Sequence, residues 1–295
     1  MGLAVIIPNL HSPVIDEVIM AVLAQADETL EVWVVGQDRY GKIPDHPQVH
    51  SLITPEPVFP GAARNLGAEQ VVADAYIFLD ADCIPQSGWL IALLKAWETN
   101  PNAGAISGAM LIQADNFVQH CEQIAYFHEY LAFHPPSERA FLASFSLLVP
   151  RKAWLQSGGF NPNLLHSEDM DFTLRLRIKG WQLFFEPHAQ VYHRSTRRTW
   201  RQFWNHARQK GVYSIQVRLQ NSEAYAMPIW SRSPWAWQVL APVIAALRTC
   251  QIYSRTPGLW SHLYAMPWVF LNKLAWCYGA ADGLRMMKGC KKQRS

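Results

Sequence analysis

Two acidic residues, Asp80 and Asp82, stand one residue apart directly after the apolar run Tyr76 to Leu79. Such a run is typical of a buried strand, so the two carboxylates are expected at its carboxyl end. In an open α/β sheet this end faces the ligand crevice. Carboxylate oxygens there suit Mg²⁺ or Mn²⁺ and, through the ion, substrate phosphates. The spacing favours nucleotide chemistry, while the alternative is that the acids merely end the strand at the water boundary.

A second group of acids follows Ser167, where Glu168, Asp169 and Asp171 precede a helical stretch that ends at Gly180. Serine is a favourable N-cap residue, and glycine is favoured just after a helix. The pattern therefore predicts a helix with three acids in its first turn. Such acids are also favoured by the helix dipole without any chemistry. A catalytic carboxylate and a dipole-stabilised helix start are both open interpretations at this point.

These acids lie within an alternation of apolar strands and amphipathic helices. The alternation predicts an α/β fold in which a mostly parallel, Rossmann-like central sheet is flanked by helices. The D-A-D segment then falls at the end of a central strand. Strands are expected at residues 3–8, 31–35, 49–54, 75–80, 104–110, 140–150, 181–187 and 189–193, and helices near residues 14–23, 61–73, 87–97, 116–133 and 167–180.

Composition indicates a globular chain, since half of the 295 residues are apolar and no repeat is present. Residues 1–193 contain 10 basic and 21 acidic side chains, whereas residues 194–295 contain 16 and 2. The five cysteines form no C-x-x-C pair and are odd in number, which argues against a zinc cage or a closed set of disulfides. The apolar stretch Leu3 to Ile7 is too short for a signal-peptide core. A reducing, cytoplasmic location is therefore expected.

Six segments spread over the first 193 residues form a recognisable set: VIIPNLHS at 5–12, GAARNLGAEQ at 61–70, FLDADC at 78–83, GGF at 158–160, SEDMDFTLRLRIKGW at 167–181 and EPHAQVYH at 186–193. In their order and spacing the chain resembles the family 2 glycosyltransferases over nearly all of these 193 residues. Each segment alone is a weak signal, whereas six in register are a strong one. The resemblance implies the GT-A fold and the transfer of a sugar from a nucleotide diphosphate.

Matching positions carry the family's site residues over to this chain. The resemblance implies a divalent metal, Mn²⁺ or Mg²⁺, that neutralises charge on the departing phosphate. It also implies a carboxylate that accepts the proton of the attacking hydroxyl, from the side opposite the leaving group, so that the anomeric centre is inverted. The implied roles are Pro8 beside the nucleotide base, Arg64 facing the nucleotide, Asp80 and Asp82 as the D-x-D pair, and Asp169, paired with Glu168, as the catalytic base.

Further site candidates each have an open alternative. His193, at the end of a strand, matches a metal-ligating or phosphate-facing histidine of some relatives, or is a histidine hydrogen-bonded at a strand end. Arg208 falls where many relatives have a basic pyrophosphate contact, or is a solvated or lipid-facing charge. Gly36 and Gln37 stand where many relatives have paired acids for the base and ribose, so Asp38 is the candidate substitute. Donor identity is therefore less well defined than reaction class.

Residues 194–295 combine most of the excess positive charge with eight of the thirteen tryptophans. Tryptophan settles at lipid headgroups, and basic residues are attracted to anionic lipid. The charge-free runs 233–247 and 256–272 are shorter than a spanning helix. Interfacial helices on an anionic membrane surface are therefore expected, with a packed helical subdomain as the alternative. Long apolar stretches between the charges argue against nucleic acid as a partner.

The favoured function is that of an inverting, metal-dependent glycosyltransferase, peripherally associated with the inner face of the cell membrane. Its acceptor would be a hydroxyl of a lipid-linked or cell-surface glycan precursor. The expected domains are a GT-A domain at 1–220 and a helical region at 221–295. Nucleotidyl transfer would also use a D-x-D metal site, but it does not explain the acidic helix at 167–180. A catalytically degenerate GT-A membrane scaffold is supported only by the Gly36-Gln37 segment.

Overall fold

The computed structural model describes residues 2–292, and contacts divide the chain into two compact units. The sheet unit comprises Met1–Gln113 and Tyr130–Ser195, and the helical unit comprises Ala114–Glu129 and Thr196–Ser295. The sheet unit therefore ends at Ser195, and the rest of the chain belongs to the helical unit. The domain boundary expected after residue 220 coincides with the end of a helix inside the helical unit.

Nine strands form one sheet in the described part of the sheet unit. In chain order they are β1 (Leu3–Leu10), β2 (Leu30–Gln37), β3 (Val49–Ile53), β4 (Ala75–Leu79), β5 (Cys83–Pro85), β6 (Ala103–Leu111), β7 (Ser137–Glu138), β8 (Ser146–Pro150) and β9 (Gln182–His193). The order in the sheet is β3-β2-β1-β4-β8-β6-β9-β5, and β7 pairs with β9. The sheet is mixed. Its parallel pairs are those of β3-β2-β1-β4 and β6-β9, while β8 runs antiparallel to both of its neighbours.

Each helix belongs to one of the two units. The sheet unit contains α1 (Ile15–Leu23), α2 (Pro60–Gln70), α3 (Trp89–Thr99), α5 (Arg151–Ser157) and α6 (Glu168–Ile178). The helical unit contains α4 (Phe117–Phe127), α7 (Trp200–Gln220), α8 (Pro234–Arg255), α9 (Met266–Lys292) and the 3₁₀ segments Ile229–Arg232 and Pro257–Ala265. A central sheet flanked by helices confirms the α/β fold class expected from the sequence.

Three of the expected strands differ from the observed ones. The strand expected at 140–150 contains only Ser146–Pro150, because backbone groups before it bond to side chains instead of a ladder. The carbonyl of Phe141 accepts from the Tyr130 hydroxyl, and the N–H of Leu142 donates to a threonine hydroxyl. The strands expected at 181–187 and 189–193 form the single strand β9, whose register against β6 shifts around Pro187. Proline has no N–H for the ladder, so an irregularity there is expected.

Strand β4 and helix α6 share one aromatic core beneath the end of the sheet. All five residues of β4 are buried. Phe78 of β4 packs edge-on against Phe160, with ring centroids 5.0 Å apart, and Phe160 stacks on Phe172 of α6 at 4.3 Å. Because buried aromatic rings contribute much of a core's packing energy, this cluster holds the start of α6 beside the end of β4. The strand that delivers Asp80 is therefore rigidly connected to the helix that begins at Glu168.

Helices α7 and α9 approach each other at glycines. A Cβ atom added to Gly279 would lie 1.9 Å from the carbonyl oxygen of Arg208, and one added to Gly211 would lie 2.1 Å from that of Trp276. Larger residues at either glycine would therefore force the helices apart. Helix α8 packs on α9 through buried small and aromatic side chains. Among the described residues, none of the helices is both long enough and apolar enough to cross a bilayer.

Candidate active site

Asp80 and Asp82 lie where β4 ends, and the end of β9 reaches the same place. Strand β5 pairs antiparallel with β9, which puts Cys83 opposite His193. The Nε2 atom of His193 lies 3.3 Å from Oδ2 of Asp82. The backbone N–H of Arg194 donates to the carbonyl oxygen of Asp82 at 2.7 Å. The fold thus brings together three residues that the sequence singled out: Asp80, Asp82 and His193.

Arg64 connects this strand end to the acidic helix. Its guanidinium, on α2, is only 2% exposed. One nitrogen, Nη2, donates to Oδ1 of Asp80 at 2.6 Å, and the other, Nη1, donates to Oε1 of Glu168 at 2.7 Å. Arginine suits this position because its planar fork can bind two carboxylates at once. Arg64 therefore links β4 to the first residue of α6 through two short ion pairs.

Burial and mutual charge together set the pKa values of these three groups. It raises the pKa of Glu168 to about 7, against the opposing effect of Arg64. It also raises the pKa of Asp80, again opposed by Arg64. Burial by itself would lower the pKa of Arg64, but the two carboxylates outweigh it, and the pKa of Arg64 is raised overall. Arg64 thus stays a cation shared by two carboxyl groups.

The three acids at the start of α6 have different partners. Glu168 is bound by Arg64, and Asp171 is bound by Arg175, whose Nε donates to its Oδ2 at 3.0 Å. Oδ1 of Asp169 accepts the backbone N–H of Met170 at 2.8 Å, and the residue is only partly buried. Arginines thus hold Glu168 and Asp171, whereas the described contact of the Asp169 carboxylate is with a backbone N–H.

Ser167 does not cap α6 as expected. Its side chain makes no hydrogen bond to the first turn, and its backbone is left-handed, with φ +66°. Ser167 stands directly before α6, as the sequence predicted, but the expected capping bond is absent, because a capping residue normally has an extended backbone that aims its side chain at the N2 or N3 amide. The expected helix end is confirmed, since Gly180 follows α6 with φ +88°.

Asn65, next to Arg64, holds the Gly-Gly-Phe segment in place. Its amide nitrogen donates to the carbonyl oxygen of Phe160 at 2.8 Å, and its amide oxygen accepts the N–H of the same residue at 2.8 Å. From α6, Arg175 donates to the carbonyl oxygens of Ser157 and Gly159. Neither Asn65 nor Arg175 was predicted from the sequence to have a role in the site. Their only signal was their place in the ARN and LRLR segments.

Arg64→Met is expected to lower the free energy of unfolding by about 3–5 kcal/mol, because it leaves buried carboxyl groups without their cation. Urea unfolding of the full chain measures the change. The matched control is Arg151→Met, at an exposed arginine of α5. Adding Glu168→Gln to Arg64→Met should recover part of the loss. A loss below about 1 kcal/mol, the range of exposed ion pairs, would contradict a structural role for Arg64.

Gly36 and Gln37, which stand where the family resemblance led us to look for paired acids, have structural roles at the end of β2. Gly36 has φ +131°, and an added Cβ atom would lie 2.1 Å from the carbonyl oxygen of Asn9 on β1. The Asn9 amide donates to the carbonyl oxygen of Gln37 at 3.1 Å, and the Gln37 amide donates to that of Thr54 at 3.2 Å. Only glycine fits at position 36, and the Gln37 side chain ties β2 to the end of β3.

Gly36→Ala is expected to destabilise the protein by about 2–4 kcal/mol, because it combines backbone strain with a collision against β1. Gly41→Ala is the control, since Gly41 also has a positive φ, +62°, but no atom within 4 Å of an added Cβ. The control should cost about 1–2 kcal/mol. Thermal unfolding of both variants separates the collision from the strain. Equal losses would mean that β1 and β2 can move apart at little cost.

Asp38 and Pro8 remain near the site without a demonstrated ligand role. The carboxylate of Asp38 accepts the backbone N–H groups of Tyr40, Lys42 and Ile43 at 3.1, 2.7 and 3.1 Å. Its observed role is therefore to organise the loop after β2, and nucleotide binding by Asp38 stays a prediction. Pro8 is half-buried near the end of β1, where its contact with a base stays a prediction as well.

Arg208 belongs to the helical unit. Its Nε donates to Oδ2 of Asp282 at 2.7 Å, and the side chain is half exposed. Asp282 also binds Arg285, so one acid serves two arginines. An ion pair between α7 and α9 accounts for the conformation of Arg208. Its contact with a pyrophosphate stays a prediction.

Metal-ligand chemistry fits the end of β4. Donor atoms of Asp80, Asp82 and Cys83 lie within 4.8 Å of one another. Burial and the neighbouring carboxylates Asp82 and Asp80 raise the pKa of the Cys83 thiol well above its usual range. A soft sulfur donor also suits Mg²⁺ and Mn²⁺ less well than oxygen does. The remaining donors are two carboxylates with the His193 imidazole beside them. Oxygen donors of this kind are those that Mg²⁺ and Mn²⁺ prefer.

Sequence comparison gives curated relatives that act on sugars. The Pre-mycofactocin glycosyltransferase of Mycobacterium tuberculosis, in strains CDC 1551 / Oshkosh and H37Rv, is 30% identical over 166 residues. The aligned part covers 52% of this chain and 34% of the relative. The chain thus spans about a third of the length of the curated relatives that it matches.

Solved structures with the same fold are glycosyltransferases with a bound metal. A mannosyltransferase from Pyrobaculum calidifontis, solved with GDP-Man and Mn²⁺, matches with a TM-score of 0.64 and 16% identity, over 96% of this chain and 86% of that chain. GalNAc-T7, solved with UDP, GalNAc and Mn²⁺, matches with a TM-score of 0.54 and 14% identity, over 77% and 52%. At these identities the likeness concerns the fold, and it confirms the GT-A architecture.

The family assignment rests on a match across most of the chain. The sequence model of the glycosyl transferase family group 2 matches residues 76–278. The matched range begins with the strand that ends in Asp80 and Asp82, continues through α6 with Asp169, and includes His193. Because this match covers more than half of the chain, the chain belongs to the glycosyl transferase family group 2.

Proposed function

We propose that this protein transfers a sugar from a nucleotide diphosphate to a hydroxyl acceptor. The reaction depends on a divalent metal ion and inverts the configuration of the anomeric carbon. One observation carries the proposal. Arg64 joins the carboxylate of Asp80 to that of Glu168, and so couples the metal-binding end of β4 to the helix start that bears Asp169. The reaction requires that charge on the departing phosphate be neutralised and that a proton be removed from the acceptor hydroxyl. The chain has carboxylates suited to both requirements.

Asp80 and Asp82 form the donor side of the proposed site. They would hold Mn²⁺ or Mg²⁺, which supplies positive charge for the departing phosphate. Arg64 fixes Asp80 through Oδ1, and His193 lies 3.3 Å from Oδ2 of Asp82. These contacts orient both carboxylates before a ligand arrives, and such preorganisation reduces the cost of binding.

Asp169 is the proposed base. Both of its acidic neighbours on α6 are held by arginines, so the first turn of the helix has a defined orientation. From there the Asp169 carboxylate would accept the proton of the attacking hydroxyl as its oxygen bonds to the anomeric carbon, while the bond to the nucleoside diphosphate breaks on the opposite face of the sugar. Glu168, which is buried and bound by Arg64, would act as a positioning residue for this turn. A single displacement of this kind inverts the anomeric configuration.

The proposed acceptor is a lipid-linked or cell-surface glycan precursor, and the proposed location is the inner face of the cell membrane. The basic, tryptophan-rich composition of residues 194–295 supports both. A peripheral enzyme concentrated at the bilayer would meet a lipid-linked acceptor at a high effective concentration. The sugar, the nucleotide and the preference between Mn²⁺ and Mg²⁺ are for experiment to identify.

Isothermal titration with a panel of nucleotide sugars, in Mn²⁺, Mg²⁺ or EDTA, tests the proposal. We expect at least one UDP-, GDP- or dTDP-sugar to bind with metal and to bind at least about 100-fold more weakly in EDTA. NMR of the product should give an anomeric configuration opposite to that of the donor. Turnover of nucleoside triphosphates with pyrophosphate release would instead indicate nucleotidyl transfer, and binding of no nucleotide would indicate a scaffold.

A further inference from the structure

Helix α8 is apolar on two opposite faces. Its inner face packs on α9 in a cluster that includes the buried Trp237 and Ala241. Its outer face is exposed and carries an apolar residue at every fourth position. These outer residues, here called the outer stripe, are between 52% and 70% exposed: Trp235, Val239, Val243 and Leu247.

A helix that packs on the rest of the protein with one apolar face normally has a polar outer face. A helix that is apolar all round is usually covered on all sides, by protein or by lipid. The outer stripe is continued by exposed apolar residues beside it, among them Leu240 on α8 and Ile229 and Trp230 in the 3₁₀ segment that precedes the helix. Contiguous apolar surface of this kind marks an interaction site. Something outside the described chain is therefore expected to cover it.

The charge around the outer stripe indicates what covers it. Residues 224–281 contain no Asp or Glu but four Lys or Arg. Three of these, Arg232, Arg248 and Arg255, are exposed in or beside α8. A two-fold contact between copies would bring identical basic surfaces together and would be opposed by repulsion. An anionic lipid surface complements the arginines and takes up the apolar stripe, and tryptophan is favoured at its headgroups.

We propose that the outer stripe of α8, with the arginines beside it, is the surface by which this protein lies on an anionic lipid bilayer. The stripe would enter the boundary between headgroups and acyl chains, while the arginines contact lipid phosphates. The proposal specifies the membrane partner suggested for the proposed function. Its test needs neither donor nor acceptor, so it can fail while sugar transfer holds, and the reverse is equally possible.

Vesicle co-flotation of the full chain tests the apolar part. The variant Val239→Gln, Val243→Gln, Leu247→Gln keeps the charge and uses a better helix former than valine. Binding to vesicles of phosphatidylcholine and phosphatidylglycerol is expected to fall at least about 30-fold relative to the wild type. The control is Met20→Gln, Ile91→Gln, Leu155→Gln, which changes three residues of the sheet unit with exposures between 55% and 62%. The control should bind like the wild type.

A second variant tests the charged part and keeps the stripe intact. Arg232→Gln, Arg248→Gln, Arg255→Gln should weaken binding to anionic vesicles at least about tenfold at low salt, since each basic residue near such a surface contributes about 1 kcal/mol. The wild type should bind pure phosphatidylcholine more weakly and should detach from anionic vesicles as salt rises. The stripe variant and the arginine variant should both keep the wild-type circular dichroism.

Three outcomes would overturn the proposal. The first is a wild-type chain that does not float with anionic vesicles at low salt. The second is a glutamine stripe variant that floats as well as its matched control. The third is a wild-type dimer that becomes a monomer in the stripe variant while flotation is unchanged, because the stripe would then be covered by a second copy.

Discussion

Asp169→Asn is expected to lower the turnover number by about 10²-fold to 10⁴-fold, the range typical of losing a general base. The amide has nearly the same shape as the carboxylate but cannot take a proton from the acceptor. Its oxygen can still accept the N–H of Met170, which donates to Asp169 at 2.8 Å, so stability and donor affinity should be retained. Steady-state kinetics at saturating metal should therefore show a fall in kcat with little change in the donor KM.

The control for this variant lies on the same helix turn. Asp171→Asn removes a carboxylate that is already bound by Arg175 and is not assigned to the chemistry. It should keep a turnover number close to that of the wild type. Near-native turnover by Asp169→Asn, together with a large loss in Asp171→Asn or Glu168→Gln, would move the base role to one of these neighbours.

Asp82→Ala is expected to weaken metal-dependent nucleotide binding at least about 100-fold, because it removes a carboxylate on which charge compensation of the phosphates depends. Asp82 is better suited than Asp80 to be the principal ligand, since Arg64 holds Oδ1 of Asp80. Titration of the nucleoside diphosphate in Mn²⁺ and in EDTA measures the effect. In EDTA the variant and the wild type should differ little.

The matched control for Asp82→Ala is Glu98→Ala, at an exposed acid of α3 in the same unit. It should bind the nucleotide in Mn²⁺ as the wild type does. Full affinity and activity of Asp82→Ala in Mn²⁺ would mean that the two acids only end a strand. Such a result would exclude the proposed metal site without affecting the fold or the family assignment.

The ion pairs of Arg64 predict how these two effects combine. Asp169→Asn should lower turnover, because it removes the proposed base from α6. Asp82→Ala should weaken nucleotide binding, because it removes a proposed metal ligand from the end of β4. Arg64→Met should act on both, since it releases Asp80 on one side and Glu168 on the other. A loss of stability without any change in binding or turnover would mean that the linkage is structural only.

The sequence by itself determined the elements that carry the chemistry. A run of buried apolar residues followed by D-A-D located the end of β4 correctly, because a strand that is covered on both faces needs an uninterrupted apolar run. Helix α6, Glu168–Ile178, was also predicted within one or two residues, since helical periodicity and a glycine just beyond the helix are local signals. The family resemblance read from six segments was confirmed by the family match.

Local signals also misled where a backbone conformation depends on distant contacts. Ser167 has the side chain of an N-cap but a left-handed backbone, so the chain enters α6 from another direction. The central sheet is less uniformly parallel than the alternation of elements suggested, because β8 inserts antiparallel between β4 and β6. Strand direction follows from how the connections cross the sheet, which residue types do not encode.

Only the tertiary structure decided which carboxylate has which partner. Three acids within four residues of α6 look equivalent in the sequence, yet Arg64, far away on α2, binds Glu168, while Arg175 binds Asp171. Asp169 is distinguished from them because no cationic side chain is bonded to it in the described structure. Periodicity reports which face of a helix is buried, but ion pairs depend on where a guanidinium reaches after the chain has folded. The sequence thus determined where acids stand on strand and helix, and long-range packing decided which of them is bound by an arginine.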